Sequence, residues 1–459
     1  MSATLATVPG LAPSHAPPTS ARDAALRVLA QHARHDPDLH PIPLDDQGLA
    51  PRDRALAHAI VDHAVRRWGT IEFLLGDLLK RPFAAHTPVV RAGWLGGAAQ
   101  LLFFDRLPVH AVVDETVGWV RGRAGAGSAG LVNATLRALA RRVAQDDTAP
   151  ARREAWSGLR DELPLADGGA RVLTEPILPE DTARRLAVAT GLAPALIDHL
   201  ARDHTEAEVR GFALHGVARP AVILNTAHVS APLPMAVLEP HACPGHHVYT
   251  GPAGGLESLL ASRADIWAQD PASSAAVHLV AGQTPRLIVD LCAGRGTKTR
   301  QLRALFPDAD LVATDIKAER RSVLDDVFRT DPGVSILAPD DLLALSGGAD
   351  LVLVDAPCSN TGVLGRRIEA RRRWSDGAVG SLVEAQRQAL VEAIRLRAPD
   401  GVVVYSTCSV DCRENMDQAD WLSRWHGLTV MRAESRWPAG GPGRPSHESA
   451  DGSFAVFLR

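Results

Sequence analysis

The chain lacks any apolar stretch long enough to cross a membrane and has few cysteines for its length. A membrane-spanning helix needs about 18 uncharged apolar residues, and no run in the sequence approaches that length. The amino terminus also lacks the basic opening and apolar core of a secretion signal. Five cysteines among 459 residues are too few and too scattered for the disulfide framework of a small secreted domain. We therefore expect a cytoplasmic protein with free thiols and no membrane partner.

The sequence is not extreme in apolar or charged residues. Hydrophobic residues make up 46% and charged residues 22%, which is ordinary for a globular protein. Residues 1–20 are rich in proline and serine, and we expect a disordered lead-in there. The length allows two or three domains.

The net charge of −4 argues against a nucleic-acid partner, but residues 21–143 have the opposite sign, with 16 basic against 12 acidic residues.

Residues 21–143 show helical periodicity throughout. Apolar residues recur at Leu56, Ile60, Ala64 and Trp68, a spacing that places them on one face of a helix. Alternation typical of strands is absent, and prolines and a glycine-rich stretch at 122–130 separate the periodic segments. The pattern predicts an all-α domain.

The rest of the chain divides into three parts. Residues 144–165 are polar and aperiodic, which predicts a linker, and residues 166–284 mix helical segments with short apolar runs as an intermediate region. From residue 285 to 459, short apolar runs alternate with amphipathic segments, as in parallel strands joined by crossover helices. This pattern predicts an α/β, Rossmann-like doubly wound sheet. Its predicted strands are RLIVDLC, DLVATDI, VSIL, DLVLVDAP and GVVVYSTC.

Polar residues follow several of these predicted strands. In an open parallel sheet, ligands bind at the carboxyl ends of the strands. The first strand ends at Asp290 and a glycine-containing turn, and Asp315 ends the second strand 25 residues later, near the offset at which a carboxylate meets a ribose. Asp340 and Asp341 follow the third strand and Asp355 ends the fourth. A nucleoside cofactor is favoured over a nucleoside triphosphate, because no phosphate-binding lysine has the required glycine spacing.

Two cysteines, Cys358 and Cys408, lie just beyond predicted strands. A cysteine in a core strand is usually an inert small hydrophobe, but two beyond strand ends with polar neighbours favour reactive thiols in one crevice. A thiolate is suited to reversible addition at carbon 6 of cytosine, which turns carbon 5 into a nucleophile. That carbon then accepts a methyl group from a sulfonium cofactor.

Five motifs carry a resemblance to a known family. They are DLCAGRGTKT, VATDIKAERR, DAPCSNTGVL, STCSVDCREN and DGSFAVFLR. With them, the chain resembles the RNA cytosine-5 methyltransferases of the NOL1/NOP2/Sun family, in particular bacterial members that act on 16S ribosomal RNA. LPVHAVVDETV and GLVNATLRAL resemble the NusB-like RNA-binding domain that precedes the catalytic domain in such members. ARPAVILN and WAQDPAS are similar to the lead-in to the catalytic sheet.

The resemblance implies a role for each motif residue. Cys408 would be the nucleophile, Cys358 would assist release of the product, and Asp355 would hold the cytosine edge. The cofactor would be S-adenosyl-L-methionine and the partner small-subunit ribosomal RNA. The implied cofactor-binding residues are Cys292, Ala293, Gly294, Arg295, Gly296, Thr297, Lys298, Asp315, Asp355 and either Asp340 or Asp341.

The cofactor loop departs from the family pattern Cys-Ala-Ala-Pro-Gly-Gly-Lys. Gly294, Arg295 and Thr297 replace an alanine, the proline and a glycine, so a stiff turn becomes more flexible. Three roles stay open for Arg295: pairing with the methionine carboxylate, pairing with an RNA phosphate, or obstructing the site. The segment GRRIEARRRW is equally consistent with a solvated face and with phosphate contact.

Two other functions compete with RNA methylation. A DNA cytosine-5 methyltransferase would place its nucleophile in a Pro-Cys pair such as Pro357-Cys358. A binding protein that has lost catalysis would fit the altered cofactor loop. A zinc site is not expected, because the spacing of His241, Cys243, His246 and His247 matches no common zinc pattern.

Overall fold

The structure is a computed structural model that describes residues 17–146 and 149–459. The chain divides into two compact units, Met1–Asp203 with Ile368–Arg373, and His204–Arg367 with Trp374–Arg459. Most of the lead-in predicted at residues 1–20 lies outside the described residues. No helix in the described ranges is both long and apolar enough to span a bilayer.

Within the described residues up to 146, five α-helices build the amino-terminal part of the first unit. Ser20 caps the first helix by accepting a hydrogen bond from the backbone N–H of Asp23, and prolines open the second and fourth. Apolar side chains from all five pack into one core, as the helical periodicity predicts. The helices are α1 Ala21–His35, α2 Pro51–Arg66, α3 Trp68–Gly76, α4 Pro88–Phe103 and α5 Val109–Arg141.

The glycine-rich stretch interrupts α5 without ending it. Gly125 has φ 79° and ψ 175°, which is non-helical, and the helix kinks there. Positive φ is accessible to glycine at little cost. The break predicted at 122–130 is therefore a kink inside one long helical segment.

The segment predicted as a linker forms short strands instead. β1 Gln145–Asp146 pairs with β2 Ala149–Pro150, and β3, β5 and β4 form an antiparallel sheet in that order. Buried Glu162 in β4 accepts hydrogen bonds from Ser157, so a polar network helps to hold this sheet. Hydrophobic periodicity cannot reveal such a network. The remaining elements of this unit up to residue 203 are β3 Arg152–Arg153, β4 Glu162–Pro164, β5 Ala170–Val172, α6 Thr182–Thr190 and α7 Pro194–Leu200.

The second unit begins within the region that the sequence predicts as intermediate, residues 166–284. Its first part contains a four-stranded antiparallel sheet in the order β7-β8-β6-β9. The elements are α8 Glu206–His215, β6 Ile223–Asn225, β7 Leu238–Pro240, β8 His246–Tyr249, α9 Ala253–Ser262, β9 Trp267–Ala268 and α10 Pro271–His278.

A seven-stranded sheet forms the core of the second unit, in the order β12-β11-β10-β13-β14-β16-β15. β10 to β14 are parallel, and β16 runs antiparallel to both of its neighbours. The strands are β10 Leu287–Asp290, β11 Asp310–Ala313, β12 Val334–Ile336, β13 Ala349–Asp355, β14 Arg397–Thr407, β15 Val430–Arg436 and β16 Ser453–Leu458. The helices are α11 Thr297–Leu305, α12 Ala318–Phe328, α13 Ala370–Arg373, α14 Asp376–Leu396 and α15 Met416–His426.

The central strands of this sheet are buried on both faces. Ile288 and Val289 in β10, and Leu353 and Val354 in β13, are 0 to 1% exposed. The strand order reverses between β10 and β13, which is the place where ligands bind in doubly wound folds. The predicted α/β class is confirmed.

Two arginines of the arginine-rich segment 365–374 are paired within the protein. Arg372 forms ion pairs with Asp36 at 2.9 Å and Glu72 at 2.8 Å, and Arg371 donates to the backbone oxygen of Thr190 at 2.5 Å, all within the first unit. Burial lowers the pKa of Arg371 well below its usual range. Neither of the two predicted arrangements, a solvated face or a contact with phosphate, applies to Arg371 and Arg372.

Candidate active site

The carboxyl ends of the central strands bring the motif residues to one rim of the sheet. Asp290 ends β10 opposite Leu353 of β13, and Asp355 ends β13 opposite Ser406 of β14. Cys408 directly follows β14. The loops after these three adjacent strands therefore carry the cofactor motif and both cysteine motifs.

The cofactor loop, residues 291–296, turns tightly through two glycines with positive φ. Gly294 has φ 61° and Gly296 φ 84°, and Gly296 caps the amino end of α11. A Cβ on Gly296 would lie 2.8 Å from a ring carbon of Phe328, so the position excludes larger residues. Thr297 and Lys298 form the first turn of α11.

Asp315, two residues past β11, is bonded to the cofactor loop. Its buried carboxylate accepts hydrogen bonds from the backbone N–H of Gly294 at 3.2 Å and of Lys317 at 2.9 Å, and it pairs with Arg320. The next residue, Ile316, is 86% exposed, so an apolar surface lies beside this carboxylate. The ribose role of Asp315 stays a prediction.

Asp340, Asp341 and Arg295 are all exposed. The two aspartates occupy the first turn of a 3₁₀ helix, Pro339–Leu345, after β12, and their burial does not distinguish them. Arg295 forms no hydrogen bond or ion pair with any residue that the structure describes. Its side chain is thus available to a ligand.

Lys298 and Asp355 form an ion pair that the sequence does not reveal. The ammonium Nζ of Lys298 lies 2.7 Å from Oδ2 of Asp355, and the Lys298 side chain is only 12% exposed. Ser406 donates to the other carboxylate oxygen at 2.9 Å. Burial lowers the pKa of Lys298. The interaction with Asp355 outweighs burial and raises this pKa, and Cys408 contributes further to the rise. Lys298, predicted only as a cofactor residue, thus also contacts the carboxylate predicted to hold cytosine.

The two predicted reactive thiols are in contact. Sγ of Cys358 lies 3.2 Å from Sγ of Cys408, and Cys358 is buried whereas Cys408 is partly exposed. The hydrogen bond with Cys408 and burial together raise the pKa of Cys358 well above its usual range. Asn360 donates to the backbone oxygen of Cys358 at 2.8 Å and lies 3.4 Å from the Cys408 sulfur. Cys358 is therefore a thiol donor beside the more accessible Cys408.

The other cysteines have different surroundings. Burial raises the pKa of Cys292 to about 12, which makes it a poor nucleophile within the cofactor loop. Cys412 is exposed, and all five thiols are free.

Asp290 is a further charged group at the site to which the sequence assigned no role. One carboxylate oxygen accepts a hydrogen bond from Thr299 at 2.7 Å, while Oδ1 has no partner among the described residues. Burial raises its pKa to about 7, despite that hydrogen bond. A buried carboxylate with an open oxygen beside a helix amino end suits a cationic ligand.

The histidine cluster outside the rim is used for structural hydrogen bonds. His241 bonds the backbone oxygen of Ser449 at 2.9 Å, and His247 bonds the hydroxyl of Thr226 at 2.8 Å. Within the described ranges, no group of three or more histidine, cysteine or acidic side chains is placed to hold a metal.

The sheet order and its rim define the class of the protein, a methyltransferase fold preceded by a helical domain. Residues 277–440 match the family described as 16S rRNA methyltransferase RsmB/F, and residues 19–141 match the NusB family. The chain belongs to the RsmB/F family of methyltransferases, and it carries an amino-terminal NusB domain. The resemblance inferred from the motifs is confirmed.

Relatives align over nearly the whole chain. A protein with the provisional name methyltransferase Rv1407, from Mycobacterium tuberculosis, is 30% identical over 97% of this chain and 98% of its own length. The ribosomal RNA small subunit methyltransferase B of Vibrio cholerae serotype O1 is 28% identical over 91% of this chain and 92% of its own. The solved structure of PH0851 has a TM-score of 0.72 at 19% identity and covers 95% of this chain and 98% of its own, which supports the fold.

Proposed function

We propose that this protein transfers a methyl group from S-adenosyl-L-methionine to carbon 5 of a cytosine in small-subunit ribosomal RNA. The observation that carries the proposal is the contact of two thiols, Cys358 and Cys408, at 3.2 Å on the same rim as the Lys298–Asp355 ion pair. Relatives over nearly the whole chain that are named as ribosomal RNA small subunit methyltransferase B support this substrate.

The residues at the rim fit the proposed cofactor. S-adenosyl-L-methionine, when bound, supplies a methyl group on a positively charged sulfonium. The unpartnered oxygen of buried Asp290 offers a negative charge for such a cation. The glycine turn leaves the amino end of α11 open to a carboxylate, and Asp315 with exposed Ile316 provides a polar and an apolar contact for a nucleoside.

The thiol pair accounts for activation of the cytosine. Cys408 forms a bond from sulfur to carbon 6, and the ring electrons shift so that carbon 5 becomes nucleophilic. After methylation, transfer of the carbon 5 proton to solvent returns those electrons to the ring and breaks the carbon 6–sulfur bond, and Cys408 leaves as a thiolate. Cys358, a buried thiol in contact with Cys408, donates a hydrogen bond to the departing thiolate and so assists release.

The Lys298–Asp355 pair stabilises the same intermediate. Asp355 accepts a hydrogen bond from the cytosine edge, while the Lys298 ammonium at 2.7 Å holds that carboxylate in place. Addition of sulfur places negative charge on the ring, which a fixed ammonium stabilises strongly in a partly buried site. The two residues therefore act together on the base.

The test is methylation of defined substrates by the purified protein. Small-subunit ribosomal RNA transcribed without modifications is incubated with protein and cofactor, and protected cytosines are mapped by bisulfite sequencing. We expect one or a few protected cytosines, none in a DNA copy of the same sequence, and none with Cys408→Ala. Protection of the DNA copy would favour the DNA methyltransferase. Absence of cofactor binding by calorimetry would favour the binding protein without catalysis.

A further inference from the structure

Each of the two contacting cysteines is followed directly by a serine, and both serine hydroxyls donate to one buried carboxylate. Oγ of Ser359 lies 2.5 Å and Oγ of Ser409 2.6 Å from Oε2 of Glu414. The backbone N–H of Ser359 also donates to Oε1 of Glu414 at 2.8 Å. One side chain therefore joins the loop that carries Cys358 to the loop that carries Cys408.

Further hydrogen bonds extend the polar network around Glu414. Gln386, on α14, donates from Nε2 to Glu414 at 3.1 Å and to the backbone oxygen of Pro357 at 2.9 Å. The hydroxyl of Thr361 lies 2.9 Å from that of Ser409. Glu414 is completely buried and faces four donors, an arrangement that matches an ionised carboxylate, which has only acceptors.

The charge of Glu414 also acts on the Cys358 thiol. Burial raises the pKa of Glu414, and the hydrogen bonds from Ser359 and Ser409 oppose that rise. The hydrogen bond with Cys408 and burial are the main causes of the raised pKa of Cys358. The charges of Cys408 and Glu414 raise this pKa further. The network thus favours the protonated thiol form of Cys358.

We propose that Glu414 is a positioning residue for methyl transfer: through Ser359 and Ser409 it holds the sulfur atoms of Cys358 and Cys408 in contact. This inference rests on the proposed function for its effect on catalysis. Loosening the two loops displaces the nucleophile from its attack position, and a displacement of about 1 Å can cost about 100-fold in rate.

The first experiment measures catalysis by Glu414→Gln. The amide retains the size of the side chain but presents an N–H₂ group to donors that need an acceptor. We expect kcat, and the rate of covalent adduct formation with RNA containing 5-fluorocytosine, to fall about 100-fold. KM for RNA and cofactor affinity by calorimetry should stay near those of the wild type, because the network does not include the cofactor loop.

A matched control is Glu162→Gln, which alters another buried carboxylate. Glu162 accepts hydrogen bonds from the N–H and hydroxyl of Ser157, both at 2.8 Å, but lies in the first unit. We expect this variant to lower the melting temperature without lowering kcat. The control therefore distinguishes the effect of losing any buried carboxylate from the effect of losing the positioning of the thiols.

The second experiment measures thiol proximity without RNA. Diamide oxidises two thiols to a disulfide, taking up their two electrons and two protons, and peptide mass spectrometry quantifies the Cys358–Cys408 bond. Sulfur atoms 3.2 Å apart should crosslink rapidly in the wild type and several-fold more slowly in Glu414→Gln. If Glu414→Gln does not fold, Ser359→Ala and Ser409→Ala, which each remove one donor, should show the same slowing.

The outcomes separate the inference from the proposed function. Slower crosslinking together with lower kcat at unchanged cofactor affinity supports both. A wild-type crosslinking rate in a folded network variant overturns the positioning role, whatever the activity. If the network variants crosslink more slowly than the wild type but the wild type methylates no RNA, the positioning of the thiols is supported and the proposed function is overturned.

Discussion

Asp290 is a buried carboxylate that the fold keeps beside the glycine turn without a full set of hydrogen bonds. Among the residues that the structure describes, Thr299 alone donates to its carboxylate, and its pKa is raised from 3.8 to about 7, chiefly by burial. Unsatisfied buried polar atoms are costly in folded proteins and mark places where function outweighs stability. We infer that Asp290 is retained for a cationic ligand rather than for folding.

Replacing Asp290 should therefore stabilise the free protein and weaken cofactor binding. Because the folded pKa exceeds the unfolded one, the folded state binds more protons between about pH 4 and pH 7, and stability falls as pH rises through that range. We expect Asp290→Asn to raise the melting temperature at about pH 8 and the gain to vanish toward about pH 4. Calorimetry should show weaker binding of S-adenosyl-L-methionine.

A surface carboxylate serves as the control for this pH dependence. Asp325 is exposed on α12, and Asp325→Asn should change the melting temperature little at any pH. An Asp290→Asn protein that is less stable at about pH 8, or that binds the cofactor as well as the wild type, would contradict the role given to Asp290.

The parallel strands of the seven-stranded sheet could be predicted from the sequence, because buried parallel strands have continuous apolar sequences. The five predicted strands correspond to β10 to β14. The segment predicted as a linker was not recognised as strands, because β1 to β4 are two or three residues long and a buried polar network supports the sheet that contains β4. Apolar periodicity carries no information about strands of that kind.

The cofactor loop is the element whose geometry depends most on glycine. Gly296→Ala should destabilise the protein by about 1–2 kcal/mol from its left-handed backbone alone, with a further cost from contact with Phe328. Urea unfolding measures the loss, and calorimetry should show weaker cofactor binding, since α11 begins at the next residue. Gly282→Ala is the control, because a Cβ there meets nothing within 4 Å. Equal stability of the two variants would contradict this account of the loop.

At the scale of the whole molecule, the two compact units do not consist of continuous stretches of sequence. Ile368–Arg373 follows the motif of Cys358 along the chain, yet belongs to the first unit. Sequence order cannot show this, because the pairing of Arg372 with Asp36 and Glu72 joins residues more than 290 positions apart. For the same reason the motifs identified the candidate site residues, but not the contacts of Lys298 with Asp355 or of Glu414 with both cysteine loops.

The arginine pairing has a measurable consequence for the first unit. Arg372→Ala removes one of the two arginines paired with the buried carboxylate of Asp36, which keeps its ion pair with Arg91, and loss of such a charged hydrogen bond costs about 2 kcal/mol. We expect faster hydrogen exchange in α1 and α3 of the variant. Arg373→Ala, in the adjacent residue, should leave exchange there unchanged. Equal exchange in both variants would mean that the pairing does not stabilise this unit.

The central claim is that Cys408 attacks cytosine and that Cys358 assists its release. The most direct measurement incubates each cysteine variant with unmodified small-subunit ribosomal RNA and cofactor, and quantifies protein covalently bound to RNA on a denaturing gel. We expect Cys358→Ala to accumulate the adduct and Cys408→Ala to form none. Accumulation by Cys408→Ala and none by Cys358→Ala would assign the attack to Cys358 and contradict the account.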